Sequence, residues 1–454
     1  MTTLVPYPGR SSSGASAGVP LARGGRVCIA REWWPVVIVP GIMGSRLERA
    51  DGSARIWDPD SNMFMVSLMI RSANTRTTMF NPALTPGRTM QTFSDEDNGN
   101  SDASTDEASF GLSRTERNWT SVSWAHYGDC AAGVQAQVGP RGGVVFCFGY
   151  DWRLSNIENG LKLKEFIENV VRPHTRFKPI VVTHSMGGLV TRAACSVHGM
   201  ESMVTGVIHT MMPTHGAAEA YGSPKLGDMD FPFSWLVGDT YDEIACVTSG
   251  VGGMFQLMPS GAYPDPAWLT TDSRLDAHCI PAGPFSRSDP YAMYREASGL
   301  LGLVNHERYN AGVVNIGANT YVNNTRRVLR TILANINEAE RYHARDVAGY
   351  CHPRTWLLAG REQETVVGVN VGYRREEAYG VALNPTQVTT LTHGQDGDAT
   401  VPLVSARALE HHANCQGGYT VPGIVHSTGC NEPVVINAVV DMINASRAAL
   451  TERW

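Results

Sequence analysis

Residues 181–190 read VVTHSMGGLV, and this stretch decides the fold. The β-branched run before Ser185 is typical of a buried parallel strand, and the residues after it, up to Gly199, have the apolar spacing of a helix. A serine at a sharp strand-to-helix turn, with small residues two positions before and after it, is the G-x-S-x-G arrangement that exposes a nucleophilic hydroxyl. Gly187 keeps that pattern, whereas Thr183 stands where the first glycine is expected. From this stretch alone, an ordinary serine at a strand end remains the alternative.

Similar apolar runs recur along the chain. Short runs rich in β-branched and aromatic residues predict buried strands at 34–41, 142–150, 178–185, 204–213 and 354–360. Between the second and third of these, apolar residues at helical spacing predict a helix over 157–170. Strands that alternate with helices predict a parallel sheet covered by helices on both faces, which is the α/β class.

The composition of the 454 residues is that of an ordinary soluble globular protein, with 43% hydrophobic and 18% charged residues. A net charge of -6 gives no basic field that would attract nucleic acid. The sequence contains neither a phosphate-binding glycine loop nor a metal-ligand spacing, so we expect no nucleotide, no metal and no other cofactor. It also contains no apolar signal segment and no run near the ~18 residues that span a bilayer. We therefore expect the chain to be cytoplasmic as synthesised.

Nine cysteines are scattered along the chain without C-x-x-C spacing. This pattern favours free buried thiols in a reducing compartment over a disulfide framework. Cys415 and Cys430 bracket a C-terminal loop, and a disulfide between these two stays open as an alternative.

A serine hydroxyl is a weak nucleophile unless a base removes its proton, so a serine hydrolase also needs a histidine and an orienting carboxylate. After a G-x-S-x-G turn these partners follow in the order acid, then histidine. The glycine-rich segment 394–402, GQDGDATVP, offers Asp396 and Asp398, although either could form an Asx turn with no further role. His426 lies on a loop before a C-terminal helical pattern, which is where the base is expected. Three other histidines are weaker candidates, because one precedes the acid and two lie in a polar stretch: His393, His411 and His412.

The oxyanion of an acyl-transfer reaction needs backbone N–H donors. One is expected from Met186, the residue after the nucleophile, and another from the loop after the first strand. Residues 39–45, VPGIMGS, form a glycine-framed turn at that loop, in which Ile42 and Met43 offer free amides.

Taken in order, five stretches resemble the lecithin:cholesterol acyltransferase family of α/β-hydrolases, which includes lipases, phospholipases and acyltransferases, and this chain is most similar to its bacterial members. The stretches are VVIVPGIMGSRLE (36–48), FGYDWRLSN (148–156), VVTHSMGGLV (181–190), GDATVP (397–402) and VHS (425–427). The resemblance implies an α/β-hydrolase fold, with a mostly parallel sheet flanked by helices. It divides the chain into a flexible N-terminal arm at 1–30 and a hydrolase domain at 31–454, with a lid or loop insertion at about 51–135 and a cap insertion at about 217–345.

Carried across position by position, the resemblance implies a role for five residues: Ser185 as nucleophile, Asp398 as acid, His426 as base, and the amides of Met43 and Met186 as the oxyanion hole. Residues 150–153, YDWR, match a family signature at a strand end. There we expect Tyr150, Asp151 and Arg153 to shape the wall of the site, with the last two paired.

The resemblance implies hydrolysis of lipid or phospholipid esters through an acyl-enzyme, or acyl transfer to an acceptor alcohol. Methionine- and aromatic-rich segments at 63–70 and 231–237 indicate either a lid in transient contact with a membrane surface or plain core packing. A lipase-like chain without a signal segment also fits an exported antibacterial effector with a secretion or immunity partner. The alternatives are an esterase for soluble esters and a catalytically inactive hydrolase fold kept as a binding module, for which Thr183 is the hint.

Overall fold

A seven-stranded sheet forms the centre of the protein in a computed structural model. The structure describes residues 5–8, 33–93, 111–226, 244, 247–265, 267–271, 289–295, 303, 318–374, 377–378, 381–382, 386–447 and 454. The strands in chain order are β1 Val5–Pro8, β2 Trp34–Val39, β3 Leu47–Arg49, β4 Arg55–Trp57, β5 Gly87–Thr89, β6 Gly143–Cys147, β7 Ile180–His184, β8 Gly206–Thr210, β9 Leu269–Thr271, β10 Thr355–Arg361, β11 Thr365–Arg374, β12 Glu377–Ala378, β13 Val381–Ala382, β14 Thr386–Gly394 and β15 Cys415–Pro422.

The described helices in chain order are α1 Asn62–Met69, α2 Ala73–Phe80, α3 Trp124–Val138, α4 Asn156–Phe166, α5 Met186–Ser196, α6 Ala218–Leu226, α7 Gly252–Phe255, α8 Pro290–Tyr294, α9 Ala318–Arg341, α10 Leu403–Ala406 and α11 Pro433–Arg447. Helices α4 and α9 each continue into a short π-helical turn. Within the described part of the chain, no helix is both long and apolar enough to cross a membrane.

The central sheet has the order β1-β15-β10-β8-β7-β2-β6. All neighbours pair in parallel except β1, which lies antiparallel to β15 at the edge. Successive side chains of a strand point to opposite faces, so β2 supplies two cores. Val37 and Val39 belong to the core beneath α4 and α5, and Val36 and Ile38 belong to the core beneath α3 and α11. The predicted α/β-hydrolase class is confirmed, and the five predicted strands are β2, β6, β7, β8 and β10.

A second, three-stranded sheet carries the cap, in the order β14-β11-β9. Its strands share a separate core with α6, α7 and α9, built around Tyr221, Trp268, Ile336 and Val369. The rings of Tyr221 and Trp268 meet edge to face at 5.6 Å. The elements of this core follow central strands along the chain, since α6 comes after β8 and the β11–β14 pair comes after β10.

Helix α3 and the β11–β14 pair lie at the boundaries of the predicted insertions. Helix α3 begins inside the lid or loop insertion predicted at about 51–135. Its buried residues pack against the central sheet. The β11–β14 pair follows the cap predicted at about 217–345, and β11 shares a core with helices α6 and α9. In the arm predicted at 1–30, residues 5–8 form the edge strand β1, where prolines are tolerated because one side of an edge strand needs no ladder bonds. The segment 231–237 lies outside the described residues.

Candidate active site

Ser185 occupies the turn between β7 and α5 with a strained backbone. Its φ of 52° and ψ of -129° lie outside the regions that non-glycine residues normally adopt. The N–H of Ser185 donates a hydrogen bond to the carbonyl of Thr210 at 3.0 Å, which anchors the turn to the neighbouring strand β8. Strain of this kind is retained only where the surrounding structure enforces it, and it is concentrated at functional sites.

Two glycines let the backbone approach this turn closely. A Cβ added to Gly187 would lie 2.4 Å from the carbonyl oxygen of Pro40, so no larger residue fits there without a shift. A Cβ on Gly41 would lie 2.8 Å from Cβ of Ser185. The turn after β2 therefore packs directly against the nucleophile turn and the start of α5.

Thr183 fills the position of the missing glycine and uses its hydroxyl. Its side chain is fully buried, and Oγ1 lies 2.8 Å from Nδ1 of His209 on β8. Burial lowers the pKa of His209 to about 3, so this histidine is neutral near pH 7 and its Nδ1 shares one hydrogen bond with the threonine hydroxyl. The hydroxyl of Thr210 donates to the carbonyl of Thr183 at 2.8 Å and further ties the two strands. The threonine is accommodated by the neighbouring strand, and the turn keeps its strained conformation.

The structure brings three of the predicted residues into one chain of hydrogen bonds. Oγ of Ser185 lies 2.9 Å from Nε2 of His426, and Nδ1 of His426 lies 2.8 Å from Oδ2 of Asp398. All three side chains are buried or nearly so, with relative exposures of 5%, 8% and 0% for Ser185, His426 and Asp398. An imidazole placed between a hydroxyl and a carboxylate can accept the hydroxyl proton while the carboxylate holds the ring in the required tautomer.

Asp398 is held so that one oxygen faces the histidine. Its Oδ1 accepts the N–H groups of Val401 at 2.7 Å and Thr400 at 3.2 Å, which leaves Oδ2 for His426. The N–H of His426 donates to the carbonyl of Asp398 at 2.7 Å, so the two loops are also joined through their backbones. A Cβ on Gly360 would lie 2.6 Å from Cβ of Asp398, which shows how closely β10 supports the acid.

The competing candidates lie elsewhere. Asp396 is exposed and offers its backbone carbonyl to the N–H of Leu403. His393 is an exposed residue of β14. His411 is exposed and faces Glu410 at 3.3 Å, and Nδ1 of His412 accepts the N–H of Asn414. These residues are engaged in local turns and surface contacts.

The turn after β2 presents backbone amides beside Ser185. The N–H of Gly44 donates to the carbonyl of Gly41 at 3.1 Å, which closes a turn with Ile42 and Met43 at its centre. Met43 has a positive φ of 60°, and its carbonyl accepts the indole N–H of Trp57 at 2.7 Å. This bond points the Met43 carbonyl away toward Trp57.

The second predicted amide belongs to Met186. This residue begins α5, and the first N–H groups of a helix have no partner within the helix. The positive end of the helix dipole lies at the same place and favours a developing negative charge. Amides of Met43 and Met186 therefore belong to two elements that meet at Ser185.

The residues predicted for the site wall support the turn after β2 and the backbone near it. The hydroxyl of Tyr150 donates to the carbonyl of Pro40 at 2.9 Å, and its N–H donates to Oγ of Ser45. Asp151 and Arg153 form a buried ion pair, with Nη2 of Arg153 at 2.6 Å from Oδ2 of Asp151.

The same arginine binds the last turn of α2 and the segment that follows it. Nη1 of Arg153 donates to the carbonyls of Met79 and Thr85, at 2.6 Å and 3.0 Å. A Cβ on Gly87 would lie 2.4 Å from Nη2 of Arg153. These contacts hold the backbone around the site. In the part of the chain that the structure describes, neither Arg153 nor Asp151 hydrogen-bonds to the Ser185 hydroxyl.

Sequence reasoning missed two residues that touch this centre, Tyr127 and His184. The Tyr127 hydroxyl accepts the N–H of Gly41 at 2.8 Å and lies 2.7 Å from Nδ1 of His184. The ring of His184 lies 4.7 Å from that of His426, centre to centre. Burial lowers the pKa of His184 well below its ordinary value, and the nearby charge of His426 lowers it further. His184 is visible in the sequence as the neighbour of Ser185, whereas no local signal marks Tyr127.

The cysteines near the site are reduced. Cys415 and Cys430 are both buried free thiols, so the disulfide left open from the sequence is not formed. Cys430 lies with its sulfur 3.7 Å from the hydroxyl of Thr210, and Cys415 begins β15.

Comparisons with known proteins agree with the motifs. Residues 131–270 match the family model described as lecithin:cholesterol acyltransferase, and this match confirms the resemblance over that part of the chain. No curated protein sequence matches the chain. Among solved structures, one chain of the crystal structure of the Tle4–Tli4 complex superimposes with a TM-score of 0.71. The superposition has 19% sequence identity and covers 92% of this chain and 99% of that one, which confirms the fold.

Proposed function

We propose that the protein is a serine-dependent carboxylic-ester hydrolase that acts on lipid or phospholipid esters through an acyl-enzyme. The observation that carries this proposal is the continuous hydrogen-bonded chain from Ser185 through His426 to Asp398, built on a strained turn. A buried serine, imidazole and carboxyl group in this geometry are the parts that activate a hydroxyl for attack on a carbonyl carbon.

In the first half of the reaction, Oγ of Ser185 bonds to the ester carbonyl carbon and its proton passes to Nε2 of His426. The carbonyl electron pair moves onto oxygen, and the amides of Met43 and Met186 bind the resulting oxyanion. Asp398 stabilises the imidazolium that forms. The tetrahedral species then breaks its bond to the alcohol oxygen, which leaves with the proton from His426.

In the second half, water loses a proton to His426 and attacks the acyl carbon, which releases the carboxylic acid and restores Ser185. An acceptor alcohol in the place of water would yield a new ester, so hydrolysis and acyl transfer use the same groups. Hydrolysis is the default because water is always present.

A lipid substrate is supported by the family match over 131–270 and by one helix surface. Helix α1 buries Phe64 and Leu68 in the same core as Trp57, the residue that binds the Met43 carbonyl. Three residues at helical spacing face solvent, two on this helix and one at its C-cap: Met63 is 78% exposed, Val66 55% and Ile70 82%. Exposed apolar side chains in one stripe favour contact with a lipid surface.

The runner-up functions are an esterase for soluble esters and an inactive hydrolase fold that serves as a binding module. Purified protein should be assayed on short- and long-chain p-nitrophenyl esters and on phosphatidylcholine vesicles, with Ser185→Ala in parallel. The proposal expects long-chain and phospholipid cleavage that the alanine variant lacks. Cleavage of short chains alone would favour the esterase, and an inert wild type would favour the binding module.

We further propose that the protein is an exported effector that is synthesised in the cytoplasm and held in check by a protein partner. The support is that a chain of the same fold was solved in the Tle4–Tli4 complex, in association with another protein. Expression directed to the periplasm of a Gram-negative host should arrest growth, and Ser185→Ala should not. Harmless periplasmic expression of fully active enzyme would rule out this role and leave the ester hydrolysis standing.

A further inference from the structure

Tyr127 joins the oxyanion turn to the histidine that precedes the nucleophile. Its side chain is 3% exposed, and it reaches the site from the first turn of α3. The ring packs tightly against this turn, since a Cβ on Gly44 would lie 2.6 Å from Cε2 of Tyr127. The tyrosine ring therefore packs on the turn that carries Met43. Tyr127 and its hydrogen-bond partner Gly41 are 86 residues apart in the sequence.

The proton positions follow from the available donors and acceptors. The amide of Gly41 has only a proton to give, so the Tyr127 oxygen accepts it at 2.8 Å. The Tyr127 hydroxyl proton is then directed at Nδ1 of His184, 2.7 Å away. This arrangement fixes neutral His184 with its proton on Nε2. Among the residues that the structure describes, Nε2 of His184 is buried without a hydrogen-bond partner. The opposite tautomer would leave that nitrogen unpaired as well and would also leave the tyrosine proton without an acceptor.

His184 in turn lies against the general base. Its ring centre is 4.7 Å from that of His426, with the planes inclined by 39°. Titratable groups face His184 from two sides, namely Tyr127 and His126 on α3 and His426 on the loop after β15. A neutral ring at this place packs against the imidazolium that forms during acylation without adding a like charge beside it.

We propose that Tyr127 and His184 are positioning residues that hold the oxyanion turn and the catalytic base in register around Ser185. The inference rests on the proposed acyl-enzyme chemistry. The Gly41 amide is occupied by Tyr127, which leaves the amides at the centre of the turn for the oxyanion. The same hydroxyl orients the His184 ring, which packs against His426 while His426 gains and loses a proton.

The first test is Tyr127→Phe, which removes the hydroxyl and keeps the ring. The probe is a short-chain p-nitrophenyl ester. We expect kcat to fall by about 10- to 100-fold with KM nearly unchanged, because positioning errors near 1 Å cost up to that factor. Loss of the donor to Nδ1 favours protonation of His184, and a positive His184 opposes the imidazolium of His426. A nearby positive charge makes His426 harder to protonate, so the acidic limb of the kcat/KM profile should move to lower pH.

Tyr342→Phe is the matched control. Its buried hydroxyl donates to the carbonyl of Leu189 at 2.8 Å, so the substitution deletes a comparable bond away from the reacting atoms. We expect a loss of thermal stability similar to that of Tyr127→Phe, with kcat and the pH profile of the wild type.

Two substitutions of the histidine separate positioning from packing. In His184→Asn the amide oxygen can accept from Tyr127 at the place of Nδ1, whereas His184→Leu fills the space without an acceptor. We expect His184→Asn to retain more of kcat than His184→Leu, and Tyr127→Phe combined with His184→Leu to be no slower than the slower single variant. If Tyr127→Phe does not fold, the comparison of His184→Asn with His184→Leu still tests the positioning role.

The inference is wrong if Tyr127→Phe matches Tyr342→Phe in kcat and in pH profile, or if Asn and Leu at 184 are equivalent. In that case Ser185→Ala still tests the chemistry independently. Wild-type protein without any hydrolysis that depends on Ser185 would overturn the proposed function, and the positioning role with it.

Discussion

Thr183 Oγ1 and His209 Nδ1 lie 2.8 Å apart in the core, one strand away from the nucleophile. This contact explains how a chain can carry threonine where the strand-to-helix turn normally has glycine. The extra side chain is directed into the sheet and bound by β8, and the strained φ of Ser185 is kept.

Replacing Thr183 by glycine should therefore lower stability and preserve activity. The change leaves Nδ1 of a buried, neutral His209 without its partner, which costs about 1–3 kcal/mol. Thermal melting and kcat on a p-nitrophenyl ester measure the two effects, and Thr183→Ser, which retains the hydroxyl, should keep most of the stability. An inactive wild type that gains activity on Thr183→Gly would instead support an inactive hydrolase fold.

Two neighbouring carboxylates permit a matched test of the acid. Asp398→Asn removes the charge opposite Nδ1 of His426, and we expect kcat to fall by roughly 10³- to 10⁴-fold. Asp396→Asn changes an exposed side chain two residues away and should leave kcat within a factor of two or so. Equal losses in both variants would mean that the wrong carboxylate has been assigned.

The prominence of Asp398 and His426 in the sequence has a physical reason. The serine turn, the acid and the base each need a particular local backbone, so each is marked by nearby glycines or by its place before a helix. Their order along the chain is the one that follows a G-x-S-x-G turn, and the choice of Asp398 over Asp396 rests on the family resemblance. The partners that hold them are distant in sequence, and Tyr127 reaches Gly41 across 86 residues with no local pattern to announce it.

In the fold, too, some elements are marked by the local sequence and others are not. Buried parallel strands such as β7 are continuous apolar runs and are easily predicted. Strand β15 reads CQGGYTVP, and its two glycines and polar residues hide a strand that lies between β1 and β10. The β11–β14 pair is not among the predicted strands, and it lies after the cap predicted at about 217–345.

The exposed stripe on α1 should govern binding to lipid. The double variant Met63→Ser, Ile70→Ser removes two side chains whose burial is worth about 1.5–3 kcal/mol each. We expect at least roughly a 10-fold loss of binding to phosphatidylcholine vesicles, with unchanged kcat on a soluble short-chain ester. Leu161→Ser on α4, a residue 41% exposed, is the control that should bind vesicles normally. Equal binding by all three proteins would remove α1 as the contact surface.

Buried neutral histidines should make the fold sensitive to acid. Burial lowers the pKa of His209 and of His343 to about 3, and that of His215 to about 4. Below pH 6.5 the unfolded chain takes up protons that the folded chain refuses, so the free energy of unfolding falls as pH drops toward 4. The expected slope is about 1.4 kcal/mol per pH unit for each such histidine.

His343→Gln provides the internal control for that slope. The Nε2 of His343 bonds the carbonyl of Gln256 at 2.8 Å, and the glutamine amide can replace that donor. Denaturant unfolding at pH 7, 5.5 and 4.5 should show a shallower decline for this variant. Stability that stays constant from pH 7 to pH 4.5 in the wild type would contradict the assignment of these residues as buried and neutral.

The most direct test of the central claim is covalent labelling with a fluorophosphonate, located by mass spectrometry and compared with ester turnover. A serine whose proton can pass to His426 should form a single stoichiometric adduct at Ser185 and lose all turnover as the adduct accumulates. Ser185→Ala should remain unlabelled and lose activity by roughly 10⁴-fold or more. A wild type that is active yet labelled at another residue, or an alanine variant that turns over ester like the wild type, would contradict the account.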